Sequence, residues 1–83
     1  MPITEDMKAF VEGLPDEHVS ALADNEHVQG FLDFIAVGED EAKGFLADKN
    51  KESLTKLFEA LNESESVDFL DQCQTYLRIE ILK

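Results

Sequence analysis

Asn50-Lys51-Glu52-Ser53-Leu54-Thr55-Lys56-Leu57-Phe58-Glu59-Ala60-Leu61 carries the clearest periodicity in this chain. Leu54, Leu57, Phe58 and Leu61 fall at i, i+3, i+4 and i+7, the spacing that lines one face of an α-helix. Asn50 or Lys51 opens the helix, and its polar residues lie on the opposite face. A helix with one apolar stripe is stable only when other elements cover that stripe. The rest of the 83-residue chain must supply them.

Working outward, the same pattern recurs in short pieces separated by caps. Asn62 to Ser66 reads as a polar joint, with Ser64 or Ser66 capping a last helix that carries Val67, Leu70, Cys73 and Leu77 on one side. Phe69 and Tyr76 widen that stripe. Leu77, Ile79 and Ile81 alternate with polar residues in a near strand-like way. A lone strand would have no partner in a helical chain, so continued helix that frays is expected over 77–83, with a strand as the alternative. On the N-terminal side, Glu39 to Asp48 places Ala42, Phe45 and Leu46 on one face, although Gly44 costs about 1 kcal/mol relative to alanine. Asp24 or Asn25 caps a helix with Val28, Phe31, Leu32 and Ile35 inward and Gly38 as its stop. Pro15 opens another, with Val19, Leu22 and Ala23 inward. Thr4 caps the first, with Met7, Phe10 and Val11 inward and Gly13 at its end.

The expectation is an all-α fold: one small domain over residues 1–83, with five to six short helices around one core. That core is expected to include Phe10, Val11, Leu22, Phe31, Leu32, Ile35, Phe45, Leu46, Leu54, Leu57, Phe58, Leu61, Leu70 and Leu77. Hydrophobic residues make up 43% of the chain, which separates it from disordered acidic tails. A chain this short buries only about 60–65% of its unfolded surface, leaving little room for both a core and a deep catalytic cleft. The acidic N-terminus and the short apolar runs do not suggest a signal peptide or a membrane span. A single cysteine, Cys73, permits no internal disulfide. A cytoplasmic protein is expected.

Constellations that carry chemistry are weak. Asp48, Asn50, Glu52 and Glu59 occupy positions 1, 3, 5 and 12 of a calcium-loop frame, but Ser53 stands where the loop's sharp turn needs glycine and three lysines interrupt it. A cap followed by an amphipathic helix explains the same residues. His18 and His27 lack a diagnostic metal spacing. Cys73 falls mid-helix in an apolar stripe, away from the helix N-terminus that would activate it. Ser53-Leu54 follows Glu52, where the attachment serine of an acidic carrier protein follows aspartate. No enzyme, metal or cofactor is expected.

Charge is the strongest lead. Nineteen acids meet seven bases, for a net charge of −12. Through Ala42, Lys8 is the single base against eleven acids, whereas from Lys43 onward the balance is nearly even. Such a field repels nucleic acid and anionic membrane and draws cationic surfaces. It exceeds the net charge of about 2–8 that solubility asks of a small domain. The expected function is therefore a non-enzymatic acidic binding protein that engages and inhibits a basic, nucleic-acid-binding partner. Its carboxylates would stand in for phosphates, in the manner of DNA mimics and phage-encoded, anti-CRISPR-like inhibitors; that comparison is one of class and rests on no stretch of sequence. Glu12, Asp16, Glu17, Glu26, Asp33, Glu39, Asp40 and Glu41 are the expected partner-binding residues. The alternative is a helical adaptor bound through apolar contacts, with Phe34, Phe69 and Tyr76 and the Ile79-Ile81-Leu82 tail as its surface. The segment Phe69 to Leu82 is expected to pack on another chain, either the partner or a second copy in a homodimer. Neither nucleic acid nor membrane is expected as a direct ligand.

Overall fold

The computed structural model describes residues 5–35 and 39–81. Six α-helices follow one another: α1 Glu5–Gly13, α2 Asp16–Asp24, α3 Glu26–Ile35, α4 Glu39–Asp48, α5 Lys51–Ala60 and α6 Glu63–Tyr76. A π-helical turn, Leu77–Ile81, continues α6, and the described residues contain no strand. The all-α expectation holds, and the alternation at 77–81 resolves as helix. The expected Thr4 cap and Gly38 stop lie outside the described residues, as do Leu82 and Lys83.

α5 is the centre of the packing. It touches α1, α2 and α4, and its inward residues Leu54, Leu57 and Phe58 are fully buried. Its start is fixed by a capping box. The Asn50 side chain accepts from the Ser53 backbone N–H at 2.9 Å, while the Asn50 N–H donates back to Ser53 Oγ at 3.4 Å. The two bonds satisfy donors that a helix start leaves open. Lys49, just before the cap, adopts a left-handed backbone with φ 54°. Its N–H donates to the Phe45 carbonyl, turning the chain between α4 and α5. Asn25 caps α3 likewise, accepting from the N–H groups of His27 and Val28.

α6 begins differently from the sequence expectation. Its cap is Asn62, whose side chain accepts from the Glu65 N–H at 2.8 Å and donates to the Glu65 carboxylate. Ser66 is buried instead, and its hydroxyl donates to the Phe58 carbonyl at 3.1 Å. That bond ties the start of α6 to the end of α5 and leaves the hydroxyl unavailable for capping.

Every helix contributes to one continuous core. Beyond the expected residues, Met7, Leu14, Val19, Ala23, Val28, Ala42, Phe69 and Cys73 are buried in it, while Phe10, Ile35, Leu46 and Leu70 pack at its edge. Phe31 is also only partly buried. Phe69 sits at the centre of an aromatic group, with ring centroids 5.2 Å from Phe58, 6.1 Å from Phe31 and 6.4 Å from Phe45. These are tilted and edge-on arrangements, the favourable ones for aromatic pairs. No described helix is long and apolar enough to cross a membrane.

Candidate functional site

The core location of Phe69 corrects its expected role as a contact surface. Its side chain is 0% exposed and cannot meet a partner while the fold is intact. Burial of Phe69, Cys73 and Leu77 also removes much of the apolar excess behind the expected packing of Phe69–Leu82 on a second chain. What that segment leaves outside among the described side chains is chiefly Ile79, which is half-exposed. Cys73 is inert in the fold, because burial pushes its thiol pKa far above the ordinary range.

Of the expected partner-binding acids, Glu12, Asp16, Glu17, Glu26, Asp33, Asp40 and Glu41 are all exposed. Glu39 falls within α4, but its side chain lies outside the described part of the structure. Three of these acids line two separate grooves. Glu12 lines a groove between α1 and α5, together with Lys51, Lys56 and Glu59. Asp40 and Glu41 line a groove between α4 and α5, with Asp48 and again Lys56. α5 thus inserts cations from the balanced half of the sequence among acids of the other half. Two nearby contacts do the same. Lys49 Nζ meets the Asp24 carboxylate at 2.6 Å, and Lys51 Nζ donates to the Glu12 carbonyl at the end of α1 at 3.2 Å. Among the described residues, no three His, Cys, Asp or Glu side chains are arranged to hold a metal ion. The calcium-loop frame from Asp48 to Glu59 runs through α5 as continuous helix from Lys51 and so cannot wrap an ion.

Where each acid sits along its helix separates folding from other uses. Glu5, Asp6, Asp16, Glu17, Glu26, Glu52, Glu63 and Glu65 occupy first turns, where the positive end of the helix dipole favours them. The opposite ends are unusual. Each of α1 to α5 carries an acid in its last turn: Glu12, Asp24, Asp33, Asp48 and Glu59. None of those last turns holds a base. A carboxylate there opposes the dipole by roughly 0.3–1 kcal/mol at low salt. The lysine contacts above ease the ends of α1 and α2, while Asp33 at the end of α3 has no basic neighbour in its own helix.

The groove between α3 and α6 differs from the other two. It has a volume of about 580 Å³ and is lined by His27, Phe31, Phe34, Ile35, Glu65, Asp68, Asp71, Gln72 and Tyr76. Phe34 stands in it 87% exposed, the most exposed of the large apolar side chains described. Tyr76, partly buried, stacks on His27 with centroids 4.9 Å apart and planes within 8°. Phe31 joins this surface to the core through its edge contact with Phe69. Phe34 and Tyr76 were therefore legible as surface aromatics. The acids beside them were not, because counting charge over the second half of the chain hides a local imbalance. Residues 57–77 hold five acids, Glu59, Glu63, Glu65, Asp68 and Asp71, and no base. That run is the signal that could have found this site.

Comparison with protein families, with curated proteins and with solved structures finds no match for this chain.

Proposed function

We propose that the protein is a non-enzymatic acidic binding protein that captures a basic, nucleic-acid-binding partner and blocks its access to nucleic acid. The observation that carries this reading is the acid in the last turn of each of the first five helices. First-turn acids are explained by folding. Last-turn acids oppose the helix dipole, an opposition that the Lys49 contact eases at Asp24, and a small domain with a narrow stability margin gains nothing from the dipole at the other ends. A use for negative potential on the surface accounts for their presence.

The exposure of Glu12, Asp16, Glu17, Glu26, Asp33, Asp40 and Glu41 on several helices supports binding through many contacts of modest strength. A field of this kind raises association rates and orients a cationic partner before contact. Phosphate-binding surfaces accept an array of anions because Coulomb attraction and counterion release do not depend on base sequence. The test is capture on the immobilised protein from a native lysate, followed by elution with salt or with duplex DNA. Bound partners that elute with either support the reading. Partners that resist both and are lost on Phe34→Ala favour an apolar adaptor.

A further inference from the structure

We infer that the α3–α6 groove is a docking site for a basic amphipathic segment of a partner protein: an apolar anchor residue flanked by lysine or arginine. Three observations meet there. Phe34 is an aromatic side chain left 87% exposed, although a small chain gains by burying its apolar residues. Phe31 and Tyr76 extend that surface to the groove floor. Glu65, Asp68 and Asp71 form its α6 wall at successive spacings of three, which places them along one side of the helix.

The charge of the lining selects the occupant. The α1–α5 and α4–α5 grooves each contain Lys56, so their carboxylates are partly answered within the chain. The α3–α6 groove is lined by three carboxylates and by no lysine or arginine. A neutral apolar segment would fill the aromatic part but leave these carboxylates without counter-charge, some of them newly removed from water. Nucleic acid and anionic lipid are repelled by the same groups. A second copy brings the same acids and a net charge of −12. A cationic segment with one apolar anchor satisfies both halves of the groove. This deepens the basic-partner reading by naming a segment and a seat for it. The test contains no nucleic acid, so that a failure of mimicry and a failure of the groove are read in different experiments.

The probe is a synthetic helical peptide with one leucine-and-phenylalanine face and lysines elsewhere, titrated into the isotope-labelled full chain and followed by amide NMR shifts. Two control peptides replace every lysine by glutamine or every apolar anchor by serine. The expected result is saturable shifts concentrated on α3 and α6, with neither control binding comparably. Phe34→Ala, at an exposed position that leaves the fold intact, should weaken binding by at least about tenfold, as removal of an interface anchor does. Glu65→Gln/Asp68→Asn/Asp71→Asn should weaken it by a similar factor. The equal charge change Glu5→Gln/Asp6→Asn/Glu52→Gln, at exposed first-turn positions that do not line the groove, should change it by less than about threefold. Equal effects of the two triple variants with indifference to Phe34 would overturn the proposal in favour of a diffuse field. Equal binding of the glutamine peptide would overturn it in favour of a neutral partner. Concentration-dependent shifts at the same residues without peptide would overturn it in favour of a second copy.

Discussion

Replacing Phe69 by alanine tests whether the last long helix belongs to the core or to an interface. The ring is fully buried and lies 5.2–6.4 Å from three other phenylalanines, measured between centroids. Removing a buried phenylalanine costs about 3–5 kcal/mol through lost transfer energy and the cavity left behind. A chain of 83 residues has a total stability of roughly 4–12 kcal/mol at typical per-residue values. Phe69→Ala should therefore remove a large share of it. With a urea slope of about 1 kcal/mol/M for a domain this small, the midpoint should fall by roughly 3–5 M or the variant should not fold. Phe69→Leu, which keeps an apolar side chain but forfeits the ring contacts, should lose roughly 1–2 kcal/mol and remains measurable in either case. Phe34→Ala is the matched control: its ring is 87% exposed, so its stability should change by no more than about 0.5 kcal/mol. Urea titrations followed by far-UV circular dichroism read all three. A loss below about 1 kcal/mol for Phe69→Ala, or an equal loss for Phe34→Ala, would refute the placement of Phe69 at the centre of the core.

Other expectations follow from single contacts. Asp33→Asn should raise stability by a few tenths to about 1 kcal/mol at low salt, because it removes a carboxylate from the end of α3; thermal melts check this, and a fall would undermine the dipole argument. Asn50→Ala should cost about 1 kcal/mol by deleting the α5 cap, read from the shift in the urea midpoint. Cys73 should resist a thiol reagent in the native state and react once urea unfolds the chain. The same burial gives a pH dependence. Above the ordinary thiol pKa of 9.0 the unfolded chain loses this proton and the folded chain keeps it. This one group then lowers stability by about 1.4 kcal/mol per pH unit, and Cys73→Ala should flatten that slope.

The parts of the fold read from the sequence were those fixed by local rules. The four apolar residues of α5 and the cap at Asn50 lie within one short stretch, and local spacing is enough to find them. The α6 start shows the limit. Asn62 and Glu65 form a cap pattern three residues apart, yet Ser64 and Ser66 looked equally fit for the task. What decides between them is the bond from Ser66 to the Phe58 carbonyl, a contact between two helices that spacing does not reveal. Phe69 was misread for a related reason. α6 has an apolar stripe wide enough that one edge could face solvent, and only the approach of α3, α4 and α5 aromatics shows that it does not. The acids were legible as a total and hidden as a pattern. Lys51 and Lys56 reach grooves lined by acids of α1 and α4, while α6 sets bare carboxylates beside Phe34 on α3. Both follow from which helices pack together.

Capture of a basic nucleic-acid-binding protein by surface carboxylates should depend steeply on salt. A partner retained from lysate would be purified, and its affinity for the full chain measured by calorimetry from about 50 to 500 mM salt, with and without the partner's own nucleic acid. The affinity should fall roughly a thousandfold across that range, as several ion contacts imply, and nucleic acid should compete for the same site. An affinity that is nearly flat in salt and indifferent to nucleic acid would contradict capture by carboxylates.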